Sequence, residues 1–294
     1  MRTIAHISDL HFGRIDPPLL DGLVADLAAH KPDLVVVSGD LTQRARGGQF
    51  DAAVAFLKRL PGPQLVIPGN HDVPMFNVFA RAFAPTGGYR RHVSQDLQPV
   101  YRDDELIVVG LNSARSFTHK SGWLSAEQVA NARTTFAAAG PGTFKVLVTH
   151  HPFIPPPREP DADVIRRGES YLPVLEEVGV DLLLAGHLHL AYHDDLRSHY
   201  KASRRSILSV QAGTATSTRR RGEPNAYNWI RTSPHLCTVS VRAWASGEPG
   251  GKPAAFQESL VTRYECGPDG WRPVKQVPVD AAAAVVTTGA TTAG

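Results

Sequence analysis

Six short apolar runs punctuate the chain up to residue 184, and they constrain the fold more than any other feature. They occupy residues 3–7, 34–37, 65–67, 106–111, 146–148 and 182–184. Each is rich in Val, Leu and Ile and stops at a polar or Gly-rich stretch. Such short, near-continuous hydrophobicity suits a strand covered on both faces. Helical patterns lie between the runs. Residues 17–29 open with a first-turn proline and put Leu20, Leu23, Val24 and Leu27 on one face. Residues 50–60 group Phe50, Val54, Phe56 and Leu57 and stop before Pro61-Gly62-Pro63. Ser125 is the expected N-cap of a helix over 125–138, and 171–178 forms a short last helix. Alternation at about thirty-residue spacing marks βαβ units, hence an α/β fold.

After residue 190 the pattern changes. Residues 207–210, 227–230, 236–241 and 256–264 read as strands without intervening helices. The stretch Leu-Cys-Thr-Val-Ser-Val alternates as an antiparallel strand does. This predicts a second sheet packed on the first, with helices outside both. Hydrophobic residues at 42% and charged residues at 20% exclude global disorder, collagen and coiled coil. A single domain is expected over 1–280, followed by an Ala-, Thr- and Gly-rich tail, 281–294, expected to be disordered. Net charge is only +3, so neither nucleic acid nor membrane is demanded, although the basic tilt suits an anionic ligand. Two cysteines, Cys237 and Cys266, exclude a disulfide scaffold and point to a reducing compartment. The N-terminus lacks the apolar core of a signal peptide, and no run reaches the ~20 residues of a membrane span. A cytoplasmic protein with no transmembrane segment is expected.

The chemistry lies immediately after the runs. The first leads into Asp9-Leu10-His11, the second into Gly39-Asp40 and the third into Gly69-Asn70-His71-Asp72. The fifth leads into His150-His151-Pro152 and the sixth into Gly186-His187-Leu188-His189. Ligands bind at the carboxyl ends of strands in open α/β sheets. Carboxylate, amide and imidazole are hard-to-borderline metal donors, and no cysteine accompanies them. In extended backbone, Asp9 with His11 and His187 with His189 would project to the same side. Gly39, Gly69 and Gly186 permit sharp turns and close approach. Two Asp, one Asn and four His exceed what one tetrahedral ion needs. Two metals sharing a bridging carboxylate account for the number and suit in-line phosphoryl displacement. In the fourth of these blocks either His150 or His151 fits as donor.

These five blocks, in order across residues 9–189, resemble those of the calcineurin-like metallophosphoesterase superfamily. The resemblance implies a four-layer αββα sandwich, two mixed β-sheets flanked by helices, with a dinuclear centre. By motif, Asp9, His11 and His189 would bind one metal, and Asn70, His150 and His187 the other. Asp40 would bridge them. His150 is chosen because it comes first after the strand. His71 would be the catalytic histidine, contacting substrate phosphate and protonating the leaving group, with Asp72 orienting it. His151 would be support or pocket lining. The segment Gly213-Thr214-Ala215-Thr216-Ser217, followed by Arg219 and Asn225, is similar to bacterial class III cyclic-nucleotide phosphodiesterases, which makes Arg219 and Asn225 substrate-binding candidates.

The implied activity is metal-dependent hydrolysis of a small anionic phosphodiester, cyclic nucleotide or glycerophosphodiester-like, by in-line attack of a metal-bound hydroxide. The cofactors would be two divalent or trivalent ions, Mn or Fe favoured and Zn admissible. Alternatives on the same blocks are a nuclease, a UDP-diacylglucosamine-type pyrophosphatase and a non-catalytic scaffold. A nuclease is disfavoured by the absence of a long basic stripe, so no stable nucleic-acid partner is expected. Arg219-Arg220-Arg221 reads as a solvated loop or a basic lip. The insertion at 153–170, with Arg158, Arg166 and Arg167, is placed beside the site. Arg90-Arg91 and the segment 76–83 after the third block could form a cap, with core packing favoured for Phe76, Phe79 and Phe83. His6, His30, His92, His119, His199 and His235 are read as structural or surface residues, and His193 as an outlying site candidate.

Overall fold

Strands that are apolar on both faces need cover on both, and the chain supplies it in four layers. The computed structural model describes residues 1–117, 120–247, 253–268 and 270–278. The expected tail at 281–294 and His119 lie outside the described residues.

The first sheet begins with β1 (Arg2–Ile7), β2 (Leu34–Val37) and β3 (Gln64–Val66), which run parallel. It continues through β10 (Ala226–Ser233), β11 (Leu236–Ala245), β12 (Ala255–Gly267) and β13 (Gly270–Pro278), giving the order β13-β12-β11-β10-β1-β2-β3. The second sheet holds β4 (Val100–Arg102), β5 (Leu106–Gly110), β6 (Phe144–Val148), β7 (Leu182–Ala185), β8 (Tyr192–Asp195) and β9 (Leu208–Gln211). Its order is β4-β5-β6-β7-β9-β8, with β5, β6, β7 and β9 parallel.

Side chains alternate between two cores along each strand. On β2, Leu34 and Val36 face the inter-sheet core, while Val35 and Val37 face the helices. On β5, Leu106 and Val108 face inward and Ile107 and Val109 outward. Outside the first sheet lie α1 (Pro17–His30) and α2 (Gly47–Leu57), which bury Leu19, Leu23, Leu27, Phe50 and Phe56. Outside the second lie α5 (Ala126–Ala137) and α6 (Leu172–Glu177), which bury Ala132, Phe136, Leu172 and Leu175. Ser125 caps α5 as expected, accepting from the Gln128 backbone while the Gln128 side chain accepts from the Ser125 N–H.

Two expectations need correction. The sheets do not divide at residue 190. The late strands β10–β13 extend the first sheet, because β10 pairs antiparallel with β1, whereas the second sheet starts at β4. An apolar run does not reveal which edge it joins, since every central strand here is covered alike. The phenylalanines after the third block are not core. Two short helices come after β3, α3 (Val78–Phe83) and α4 (Gly87–His92). Phe76, Phe79 and Phe83 are 71%, 79% and 85% exposed. A six-residue helix has too little face to bury them, and only Tyr89 of α4 reaches the interior.

Candidate metal centre

All five blocks leave the carboxyl ends of strands, three from the first sheet and two from the second. The two sheets meet at this edge. The His187 backbone N–H, after β7, donates to Asp9 Oδ2 at 3.0 Å, after β1. His150 Nδ1, after β6, lies 2.8 Å from the Ser38 carbonyl, after β2. Residues far apart in the chain are thereby held in one cluster.

The pairs Asp9/His11 and His187/His189 do not converge by extended-strand alternation. Asp9, His11, Asp40, His187 and His189 all have φ between 50° and 73°, in the left-handed region. The strands have ended, and sharp turns aim each donor inward. Such backbone costs of order 1–3 kcal/mol per residue and is sustained only where surroundings enforce it. Thr214 Oγ1 donates to the Asp9 carbonyl at 2.7 Å, and Thr216 Oγ1 to the Leu10 carbonyl at 3.0 Å. Close packing adds to this. A Cβ on Gly186 would lie 1.8 Å from Ser8 Oγ, and one on Gly69 would lie 2.2 Å from Asp40 Oδ1.

Two donor groups result. Asp9, His11, Asp40 and His189 each present one ligand atom, all within 4.8 Å of one another. His189 Nε2 lies 3.2 Å from Asp9 Oδ1 and 3.0 Å from His11 Nε2. In the second group, Asn70 Oδ1 is 3.0 Å from both His150 Nε2 and His187 Nδ1. His150 Nε2 is 3.3 Å from Asp40 Oδ1, whereas His11 Nε2 is 3.6 Å from Asp40 Oδ2. The two oxygens of Asp40 thus address the two groups.

These residues fit cations. His150 Nδ1 donates to the Ser38 carbonyl and His189 Nδ1 to the Arg219 carbonyl at 2.6 Å. With Nδ1 so engaged, each ring turns Nε2 toward other acceptors, a position for either a proton or a metal ion. Backbone carbonyls that fix the tautomer in this way are typical of metal-ligating histidines. Asp9 Oδ1 is buried without a hydrogen-bond partner, with His189 Nε2 3.2 Å and His11 Nε2 3.6 Å away. Acceptor facing acceptor in a buried site is unfavourable unless a positive charge lies between them.

The electrostatics agree. Despite burial, His189 holds the Asp9 carboxyl well below its ordinary range, and His150 does the same for Asp40. Burial opposes a charged His150, yet Asp40 prevails and pushes it up to about 9. Burial and nearby His150 press His187 down to about 3.

His71 sits at the mouth. Its Nδ1 donates to the Gln43 carbonyl at 2.9 Å, its Nε2 faces Arg219 Nη1 at 3.0 Å, and its backbone N–H donates to Asp40 Oδ1 at 2.8 Å. The ring is therefore oriented by Gln43, not by Asp72. The buried Asp72 carboxylate instead accepts from the Leu41, Thr42 and Gly69 backbone N–H groups and from Thr42 Oγ1. It pins the turn that carries Asp40 to the turn that carries Asn70 and His71. Burial and the Asp40 charge push Asp72 up to about 6.

A cavity of about 340 Å³ opens over the cluster, with Asp40, Asn70, His71, His187 and His189 on its floor and Lys120, Arg219 and Arg221 around it. Glu159 and Asp163 of the 153–170 insertion also line it, and Glu159 pairs with Arg221 at 2.7 Å. Arg158, Arg166 and Arg167 do not line it. His151 is fully buried beneath His187, ring centroids 4.5 Å apart, with Nδ1 2.8 Å from Ser113 Oγ. It supports the floor and is out of a ligand's reach. Asn225 is also buried, and donates to the Thr214 and Ser217 carbonyls, which shapes the loop that presents Arg219. His193 bonds to Tyr264 Oη at 2.7 Å and takes no part in the cluster. His6 is buried and bonds to Ser38 Oγ at 2.9 Å, as a structural residue would. Gln43 carries no sequence signal, because it acts through its main-chain carbonyl. Thr214 has one, in the Gly-Thr-Ala-Thr-Ser segment.

Known proteins resemble this chain in sequence and in fold. Glycerophosphodiester phosphodiesterase GpdQ of Enterobacter lignolyticus is 32% identical over 165 residues, which is 52% of this chain and 57% of that protein. The chain thus spans little more than half the length of that relative. A probable cyclic nucleotide phosphodiesterase of Synechococcus is 25% identical over 65% of this chain and 74% of that protein. Among solved structures, PhoD superposes with a TM-score of 0.70 at 14% identity, over 93% of this chain and 71% of that one. A dimetal phosphatase from Danio rerio gives 0.61 at 15% identity, over 82% and 96%. Among the described residues no helix is long and apolar enough to cross a membrane. The calcineurin-like phosphoesterase profile matches residues 2–191, the span that holds all seven converging donors and His71, and the chain belongs to that family.

Proposed function

We propose that the chain is a metal-dependent phosphodiesterase acting on a small anionic diester. The observation that carries this reading is the placement of Asp40, with one oxygen toward each of two donor groups. Asp9, His11 and His189 would hold one ion, Asn70, His150 and His187 the other, with Asp40 shared. When bound, such a pair supplies an acidified water and neutralises charge at phosphorus. Mixed oxygen and nitrogen donors without sulfur favour Mn or Fe, with Zn admissible. The names of both curated relatives denote diester hydrolysis, one of glycerophosphodiesters and one of cyclic nucleotides. The two cysteines are free, which agrees with a reducing cytoplasm.

The protein's own groups do the rest. Arg219 and Lys120 draw the anionic substrate into the cavity and offset charge on its oxygens. His71, held at Nδ1 by Gln43, turns Nε2 toward Arg219 at the cavity edge; with Arg219 drawn onto the substrate, Nε2 is free to carry a proton to the departing alkoxide. The test is metal analysis with a substrate panel: bis(4-nitrophenyl) phosphate, 4-nitrophenyl phosphate, cyclic AMP, glycerophosphocholine and single-stranded DNA. Wild-type protein should bind about two ions and prefer diesters. Asp40→Asn should lose metal and most turnover. An unimpaired Asp40→Asn enzyme overturns the reading.

One observation favours a second reading, a pyrophosphatase acting on a lipid-linked substrate. Phe76, Val78, Phe79, Phe83 and Phe117 are all exposed, and Arg81 Nε donates to the Ser116 carbonyl at 2.6 Å, tying α3 to the segment that carries Phe117. Turnover of a micellar lipid pyrophosphate, without turnover of soluble diesters, would select this alternative.

A further inference from the structure

Next to the catalytic cavity lies a second one, of about 480 Å³, bordered by Arg14, Arg44, Arg46 and Arg219 together with Gln43 and Gln49. No acidic residue lines it among the described residues. Arg14, Arg44 and Arg46 form no ion pair with any described residue, whereas Arg59, Arg133, Arg205 and Arg242 each meet a carboxylate at 2.5–2.8 Å. Arg44 instead sits over the Phe76 ring, 5.4 Å from its centroid. Arg46 leads into α2, whose first turn has neither a side-chain cap nor an acidic residue. Among the described residues, no carboxylate on this concave surface offsets the four guanidinium groups. Uncompensated cations on a convex surface are merely solvated. In a recess they sum into a field that concentrates anions, and the guanidinium fork matches phosphate and carboxylate.

The recess shares a wall with the reaction centre. Gln43 lines it and accepts from His71 Nδ1, while Arg219 borders both cavities and reaches His71 Nε2 at 3.0 Å. We propose that this recess binds a second anionic group, phosphate or carboxylate, of the same substrate whose diester lies over His71. The proposal rests on the phosphodiesterase reading. It narrows the substrate to diesters with at least one further negative charge, and makes Arg44 and Arg46 determinants of specificity.

The test compares three 4-nitrophenyl phosphodiesters that differ only in the second alcohol: propyl, 3-carboxypropyl and 3-phosphopropyl. Each is assayed by turnover and by calorimetric binding, with wild-type protein, R44A/R46A, and R90A/R91A as a control for net charge. Wild type should show a KM and a Kd about tenfold lower for one or both charged esters than for the propyl ester. Which charged ester gains tells phosphate from carboxylate. R44A/R46A should lose that preference with the propyl ester and the melting temperature unchanged, and R90A/R91A should keep it. Equal affinity of wild type for all three esters overturns the proposal. So does a preference that survives R44A/R46A or falls equally in R90A/R91A. If no ester is hydrolysed but the binding preference still depends on Arg44 and Arg46, the phosphodiesterase reading fails and the anion site stands.

Discussion

Arg219 Nη1 lies 3.0 Å from His71 Nε2, joining residues 148 positions apart at the mouth of the metal cluster. The Arg219 carbonyl simultaneously accepts from His189 Nδ1 at 2.6 Å. One residue thus steadies a donor of the first group with its main chain and faces His71 with its side chain. If its side chain works through His71, the two substitutions will not add. His71→Ala should lower kcat by about 10²–10⁴. Arg219→Ala should cost about tenfold alone and far less in the His71→Ala background. A kinetic double-mutant cycle measures this, and full additivity would separate the two roles.

Gly186 marks the tightest contact in the cluster. A methyl there would lie 2.4 Å from Asp9 Oδ2, so Gly186→Ala must displace that carboxylate. Metal content of the purified variant should fall, with loss of at least about 2 kcal/mol of stability. Gly48→Ala is the contrast. Beyond its chain neighbours and its own helix, nothing among the described residues lies within 4 Å of that added methyl, so helix propensity alone should stabilise the protein, by up to about 0.5–1 kcal/mol. Thermal melts and elemental analysis of both proteins check the pair.

Loading metal should release protons. His150 is pushed up to about 9 by Asp40, against its burial, so at neutral pH its ring is protonated before a cation enters. Binding then displaces that proton, and affinity should weaken by about tenfold for each pH unit below 9. Calorimetry in buffers of different ionisation enthalpy should detect at least about one proton released per protein at pH 7. Binding without proton release would contradict the assignment of His150.

Acid sensitivity of the fold should trace in part to His6. Burial lowers this ring from 6.5 to about 3. Above pH 6.5 it is neutral in both folded and unfolded chains. Between 6.5 and about 3 the unfolded chain takes a proton that the folded chain refuses, so stability falls as pH falls, by up to about 5 kcal/mol in all. His6→Asn should flatten the pH dependence in urea titrations at pH 5 and pH 7, whatever it does to stability at pH 7. An unchanged difference between the two pH values would exclude His6 as the source.

How far the sequence reaches depends on whether the physics is local. The apolar runs determined the strands, because covering both faces of β2 or β5 requires residues such as Leu34–Val37 in unbroken series. Ser125 determined the start of α5, since a cap bonds within one turn. The donor blocks were legible because each comes directly after its strand. Only the tertiary structure decided the rest. Pairing of β10 with β1 assigned the late strands to the first sheet, a choice between equally apolar edges. Left-handed backbone at Asp9, His11, His187 and His189, which no residue type imposes, replaced the extended geometry expected of those pairs. Gln43 orients His71 through a carbonyl that every residue possesses, and Asp72 serves the neighbouring turns instead. Phe79 and Phe83 are apolar by composition but exposed, because α3 has no core to enter. Composition and periodicity encode what a residue prefers within a few neighbours. Which distant partner satisfies that preference is settled only when the two sheets close on each other.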